Sequence, residues 1–493
     1  MQDANELKHI LDSRIPLVVI ETFEEKKALD VLLRVANKHS KDLYRWSVTE
    51  GLSRMSFGPQ LVPRGSEHNN AEEALKHIKS QAQPGIYALC DLHPFLADQP
   101  NVVRLLKDIA LNHFAVPHTL VFLSYQLRLP PELSRYSVSY SLSLPTDDKL
   151  MEIIREEAKD WSDRHAGARV KTDNLTLKKL VSNLQGMSVS DARRLVRGAI
   201  WNDGALTEDD LPRINKAKFA LLDMEGVMNF EPQTENFSQV GGLHNLKRWL
   251  MARREAFCSD DSNLDRPKGI LLLGVQGGGK SLAAKAVASL WGIALLRLDV
   301  GALYNKYHGE TERNLREALK LADAMSPCVL WLDEIEKGMS QGSSDNGTSQ
   351  RLLGTLLTWM AERRTRVFIV TTSNDISQLP PELIRKGRLD EIFFVDLPDA
   401  EVRKDIFTIH LNKRNCLADQ FDLQQLSVAS EGFSGSEIEQ AIVAALYNGA
   451  SQGKAVDTQL LLQEIASTSP LSVVMAEQIN QLRHWAADRT IPA

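Results

Sequence analysis

The run Gly274-Val275-Gln276-Gly277-Gly278-Gly279-Lys280-Ser281 fits the spacing G-x-x-x-x-G-K-[ST], which suits a polyphosphate ligand. Gly274, Gly277, Gly278 and Gly279 let the backbone curl, Gln276 within it, until successive N–H groups face one anion. A helix opening at Leu282 adds partial positive charge from its N-terminus. Lys280 then reaches the β- and γ-phosphates, and the Ser281 hydroxyl is a ligand for Mg²⁺. Downstream, Val329-Leu330-Trp331-Leu332 ends in two carboxylates, Asp333 and Glu334. Asp333 suits the metal's water shell, and Glu334 suits the orientation or deprotonation of an attacking water. Alone, the pair reads better as an acidic helix start. Beside the phosphate loop it points to hydrolysis. Asn374, closing Thr371-Thr372-Ser373, carries an amide that donates to a phosphate oxygen and accepts from water, although a turn before Asp375 explains it too. Arg385 and Arg388 flank Gly387 with planar guanidinium groups that match charge on a transferring phosphoryl group.

These residues need a scaffold, and the flanking letters supply one. Gly269 to Leu273 reads as a buried strand and Leu282 to Leu290 as a helix, so the glycine run sits in a strand–loop–helix. An acid at the end of an apolar strand falls where an open parallel sheet places its ligands. The chain of 493 residues suits two to four domains. Its 43% hydrophobic and 25% charged residues are those of an ordinary soluble protein. No apolar run is long enough for a membrane span, and the polar, acidic Met1 to Glu6 does not resemble a signal peptide. Cys90, Cys258, Cys328 and Cys416 lack paired spacing, which argues against disulfides or a zinc site and for a reducing, cytoplasmic setting. A net charge of −6 and the absence of a nucleic-acid module disfavour nucleic acid as a partner. Leu61 to Ser66 matches a thrombin cleavage sequence and is given no function.

From Phe237 to about Ala450 the motifs resemble those of an AAA-type ATPase module, in the family's order. Phe237 to Leu243, with Gly241 and Gly242, looks like the loop that packs on adenine. Lys306-Tyr307-His308-Gly309 is similar to the first pore loop. The segment Leu379 to Asp390 resembles the one that carries arginine fingers, with Arg385 and Arg388 at the matching positions. His410 matches the adenine-side histidine of the helical lid, and Gly435 and Ser436 lie in a stretch similar to the second sensor. The resemblance implies ATP and Mg²⁺ as cofactors, and a homo-oligomeric ring, a hexamer, in which the fingers reach a neighbouring subunit. It also implies an aromatic grip by Tyr307 on an unidentified polypeptide threaded through the pore. Two departures stand out: Gly278 replaces a common threonine, and Ser436 stands where many relatives carry an arginine.

The first half repeats the plan in worn form. Leu129-Pro130-Pro131-Glu132-Leu133-Ser134-Arg135 recurs as Leu379-Pro380-Pro381-Glu382-Leu383-Ile384-Arg385, and Gly186 to Asp191 parallels Gly432 to Glu437. Ala88 to Asp91 parallels the strand ending at Asp333, and Leu17 to Ile20 parallels Ile270 to Leu273. The chemistry is gone. Glu21-Thr22-Phe23-Glu24-Glu25 has no glycine, and its carboxylates repel phosphate.

The expected fold is therefore α/β. It comprises an AAA module of parallel sheet, flanking helices and helical lid, preceded by a degenerate module without a phosphate loop. The expected boundaries are 1–145 for the degenerate α/β domain, 146–205 for its helical lid and 206–235 for a charged linker. They continue with 236–398 for the ATPase domain, 399–465 for its lid and 466–493 for a C-terminal tail whose helix docks on a neighbour. Two functions compete: a ring-forming protein remodeller, and an ATP-gated switch or scaffold that threads nothing.

Overall fold

The computed structural model describes residues 2–55, 68–97, 99–222, 228–232, 240–258, 264–301, 310–339, 346–385 and 387–493. Tyr307 with its loop, Phe237 and Leu61 to Ser66 lie outside the described residues. The chain divides into two units, 1–144 and 145–493.

The first unit is built on six strands: β1 (Leu17–Glu21), β2 (Asp42–Ser47), β3 (Gly51–Met55), β4 (Gly85–Cys90), β5 (Thr119–Ser124) and β6 (Ser137–Tyr140). They lie in the order β3-β2-β4-β5-β1-β6, parallel except for β3, which folds back on β2 as an edge hairpin. Every residue of β4 and β5 is buried. That is why both strands read as unbroken apolar runs, being covered by helices on both faces.

The second unit carries seven strands: β7 (Met228–Phe230), β8 (Gly269–Gly274), β9 (Ala294–Asp299), β10 (Cys328–Asp333), β11 (Val367–Ser373), β12 (Glu391–Val395) and β13 (Ile491–Pro492). Their order is β13-β12-β8-β11-β10-β9-β7, with only β7 antiparallel. Without the edge strands, the two sheets share one topology. β6-β1-β5-β4-β2 in the first corresponds to β12-β8-β11-β10-β9 in the second.

Register, anchored on the left-handed residues Asp91 and Glu334, shifts two equivalences by one residue, setting Ile20 against Leu272 and Cys90 against Asp333. Ile20 pairs with Leu123 and Tyr140 as Leu272 pairs with Thr372 and Phe393. Carried across to β4, this sets Cys90 at the place of Asp333 and Asp91 at the place of Glu334. Asp91 and Glu334 have φ of 52° and 46°. Arg45 on β2 likewise corresponds to Arg297 on β9, the one beside Cys90 and the other bonded to Asp333. In the first unit the turn after β1 is short. Only Phe23 and Glu24 separate Thr22 from the helix Glu25–Lys38, and Phe23 is exposed where the second unit has its glycines.

The helices Asp147–Arg164, Asn174–Leu184, Val189–Asp203 and Asp210–Leu222 share a core that includes Ile153, Leu180, Val196 and Ile214. The stretch 206–235, expected as a linker, thus contains a packed helix, because Leu211 and Ile214 recur at helical spacing and are buried. This helical module docks on the base of the second sheet. Gly186, at φ 79°, passes so close to Ala324 that a Cβ there would lie 2.5 Å from the Ala324 carbonyl oxygen. Lys218 is fully buried and donates to the carbonyls of Asn183, Gln185 and Ser326 at 3.0, 2.6 and 3.3 Å. Burial pushes its ammonium down to about 7.

A second helical lid follows β12, formed by Ala400–Asn412, Leu423–Ala429, Gly435–Gln452 and Thr458–Ser467 around Phe407, Leu426, Ile438 and Leu461. Its helix Gly435–Gln452 opens on a capping box between Ser434 and Glu437. Ser188 caps the helix Val189–Asp203 at the repeated position. The C-terminal helix Ala476–Ala486, expected to dock on a neighbour, packs on its own chain, where Arg483 bonds to Asp396.

Candidate nucleotide site

The C-terminal ends of β8, β10, β11 and β12 bring their following residues to one edge of the second sheet, where an open α/β sheet binds ligands. A cavity of about 550 Å³ opens there. It is of a size that takes a small-molecule cofactor. Gln276 to Leu282, Asp333, Glu334, Thr372, Asn374, Gly241, Gly242, His410, Gly435 and Ser436 all line it.

The glycines of the loop are demanded by the backbone. Gly277 and Gly279 have φ of 75° and 92°, a region that side chains with a Cβ avoid. A Cβ on Gly274 would lie 2.0 Å from the Val395 carbonyl oxygen, because β8 and β12 close on each other where Val275 N donates to that oxygen. Gly278 is not loose either, since a Cβ there would stand 3.0 Å from the Val275 oxygen and 3.3 Å from the Val395 side chain. Gly277 also touches the lid, with the Ser436 N–H donating to its carbonyl at 3.3 Å.

Lys280 opens the helix Lys280–Trp291 and is buried. Its Nζ donates to the carbonyls of Gly274 and Val275 at 2.8 Å each. Burial lowers it to about 8, and the carboxylates of Glu336, Asp333 and Glu334 oppose that shift. It therefore remains mainly a cation at neutral pH. Ser281 follows, exposed to the cavity.

The acids form a network across two strands. Asp333 accepts from Thr372 Oγ1 at 2.8 Å and from Arg297 Nη2 at 3.0 Å. Thr372 Oγ1 in turn accepts from the Glu334 N–H at 3.0 Å, which holds the left-handed turn at Glu334. Glu334 Oε1 accepts from Asn374 Nδ2 at 3.1 Å, and the Asn374 N–H donates to Glu336 Oε1 at 2.9 Å. Glu336 and Thr372 escape a reading of the letters. Neither belongs to the phosphate-loop or acid-pair pattern, although the alternate acid after Asp333-Glu334 was a usable hint.

Not every residue singled out from the sequence meets at this cavity. Arg385 is exposed, and Arg388 donates to the Glu382 carbonyl; neither lines it. His410 does, held by Glu439 and Arg414. Pro492 and Ala493 line it as well, which no motif foretold.

The donors fit the expected cofactors. Ser281 and Asp333 offer hard oxygens to one cavity, and Mg²⁺ is held through one or two such groups together with phosphate oxygens. Among the described residues no group of three or more His, Cys, Asp or Glu forms an all-protein metal cage. No described helix is long and apolar enough to cross a membrane.

Three family profiles match successive parts of the chain. They are the SpoVK-like AAA ATPase N-terminal domain over residues 3–142, the SpoVK-like AAA ATPase second domain over 148–225, and the ATPase family associated with various cellular activities (AAA) over 270–397. The AAA domain-containing protein ycf46 of Pyropia yezoensis is 34% identical over 501 residues, covering 99% of this chain and 98% of its own length. The protein of that name from Guillardia theta is 33% identical over 497 residues, covering 99% and 95%. The proteasome-activating nucleotidase of Aeropyrum pernix is 32% identical over 282 residues, covering 54% of this chain and 68% of the nucleotidase. Relatives aligned along almost the whole chain, and not along the phosphate-loop half alone, place it in the AAA family of ATPases together with the ycf46 AAA proteins of algal plastid genomes.

Proposed function

We propose that the second unit hydrolyses ATP with Mg²⁺ and that the chain works as a homo-oligomeric ring, a hexamer, that remodels a protein substrate. The observation that carries the hydrolysis is the junction of Lys280, Ser281, Asp333, Glu334 and Asn374 on one cavity. Lys280 is the cation for the β- and γ-phosphates, drawn from the two loop carbonyls it now serves. Ser281 and Asp333 hold the metal, which neutralises charge on the phosphate oxygens. Glu334 is the base for the attacking water, and Asn374 aims it by bonding its carboxylate. Gly241, Gly242 and His410 frame the base end with the apolar Val402, Ile406 and Ile409.

Assembly rests on a different observation. Arg385 and Arg388 stand away from their own cavity, as residues serving another subunit's phosphates must. Similarity to a proteasome-activating nucleotidase supports polypeptide as the substrate, and Tyr307 is assigned the grip from the resemblance of Lys306-Tyr307-His308-Gly309 to a first pore loop. The first unit, with Cys90 and Asp91 in place of the two acids and no phosphate loop, is a scaffold or regulatory module.

The test is a pair of variants. Lys280→Ala abolishes ATP binding, whereas Glu334→Gln retains ATP and loses turnover. Normal turnover in Glu334→Gln removes the base from this scheme. Capture of bound polypeptide by Glu334→Gln in ATP separates the remodeller from an ATP-gated switch, which captures none.

A further inference from the structure

The C-terminal segment is the part of the cavity that no phosphate-loop motif accounts for. Its helix Ala476–Ala486 buries Ile479, Leu482 and Ala486. From it, Arg483 forks onto Asp396: Nε donates to both carboxylate oxygens at 3.0 and 2.9 Å, and Nη2 donates to Oδ1 at 2.9 Å. Asp396 itself lines the cavity. The chain then returns as β13, where Ile491 and Pro492 run parallel to Phe393 and Phe394 of β12. The Ala493 N–H donates to the Phe394 carbonyl at 3.0 Å. Asn245 Nδ2 donates to the Pro492 carbonyl at 3.1 Å.

These contacts reach the two segments that shape the ligand space. Asn245 stands just after the loop Val240 to Leu243, whose Gly241 and Gly242 pack against Ile406 and Val402 of the lid. That is the apolar end of the cavity, remote in character from the Lys280 and Asp333 end, and it suits a purine. β12 is also the strand whose Val395 carbonyl receives the phosphate loop's Val275 N–H. Proline in β13 has no N–H to offer a further strand, so the sheet ends here. The Arg483–Asp396 pair is part exposed and contributes little by itself. The segment is held instead by strand pairing and by its buried apolar side chains.

We infer that residues 476–493 form a strap that walls the base end of the nucleotide site, making base affinity depend on Ile491, Pro492 and Asn245. The inference rests on the proposed nucleotide site. The experiment uses the full chain, a variant lacking residues 488–493, and the milder pair Ile491→Ala and Asn245→Ala. Fluorescent mant-ADP is titrated by anisotropy, and inorganic tripolyphosphate is titrated by competition against it. Loss of the strap raises the mant-ADP Kd about tenfold, the equivalent of one lost wall contact set, and speeds release. Tripolyphosphate affinity stays within about twofold, since it engages only the loop. The point variants move the same way by less. Unchanged mant-ADP affinity in all variants, while the parent chain binds it, overturns the strap. So does an equal loss of both ligands, which places the effect on the phosphate loop. Failure of the parent chain to bind mant-ADP strikes the nucleotide site itself and removes the strap with it.

Discussion

Gly277→Ala is the sharpest probe of how the lid meets the phosphate loop. The position has φ of 75°, so alanine there costs roughly 1–2 kcal/mol in backbone strain. Its Cβ would lie 2.1 Å from Ser436 Oγ and 2.9 Å from Ser434 Oγ. Ser436 can turn its hydroxyl away only by giving up its contact with Ser434 Oγ at 3.2 Å. Ser434 is held more firmly, because its Oγ caps the lid helix and bonds to Glu437 at 2.8 Å. Overpacking of this kind costs roughly 1–3 kcal/mol when the neighbours cannot yield. The total is therefore about 2–5 kcal/mol, and the lid relieves part of it by lifting from the loop. Lifting opens the cavity, so mant-ADP affinity should fall at least tenfold. Ser436→Ala removes the nearer oxygen and leaves the farther one, so it should rescue Gly277→Ala only in part, by about 1 kcal/mol of coupling. Urea denaturation and mant-ADP titration of the two single variants and the double variant complete the cycle. Zero coupling, or Gly277→Ala within about 0.5 kcal/mol of the parent, would refute the lid contact.

Lys218 gives a pH signature. Its ammonium is depressed in the folded state to about 7, so between there and its ordinary value the unfolded chain binds more protons. The cost of charging it is fully present below pH 7 and fades as pH rises. The parent should gain stability over Lys218→Met on going from pH 7 to 10, by up to about 1.4 kcal/mol per pH unit; parallel urea curves for both proteins across that range would show that the lysine stays charged. Glu336→Ala should lower turnover about tenfold with little change in ATP affinity, because the Asn374 N–H loses its acceptor at a cost of roughly 1–3 kcal/mol. Glu336→Gln keeps that acceptor and should keep most of the rate, so equal defects in the two variants would exclude the positioning role. Arg388→Ala should bind ATP and hydrolyse it poorly, and mixing it with Lys280→Ala should restore turnover that rises with protein concentration. A monomer with no rescue on mixing favours the gated switch.

What the letters determined by themselves was whatever chemistry is local in the chain. The phosphate loop is contiguous from Gly274 to Ser281, and its glycines record backbone constraints that act on neighbouring residues. Buried parallel strands such as β8 and β10 are apolar end to end, so their positions and the acids that close β10 are legible without partners. The duplication was legible for the same reason, as each copy keeps its own local signals. The register of that duplication was not, since the match of Cys90 to Asp333 follows from hydrogen bonding between strands far apart in sequence. Nor was the helix Asp210–Leu222, whose buried face carries Asp210, Asn215 and Lys218 beside Leu211 and Ile214 and so breaks the apolar pattern. Thr372, Glu336, Arg297 and Lys218 have their roles through partners dozens of residues away, and no spacing rule reports such a contact. The C-terminal strap is the plainest case. A short strand ending in Ile491 and Pro492 carries no pattern of its own, and only the unpaired edge of β12 gives it a place beside the ligand. Tertiary structure decides there because an edge strand's hydrogen bonds and apolar cover come from its neighbour and not from its own sequence.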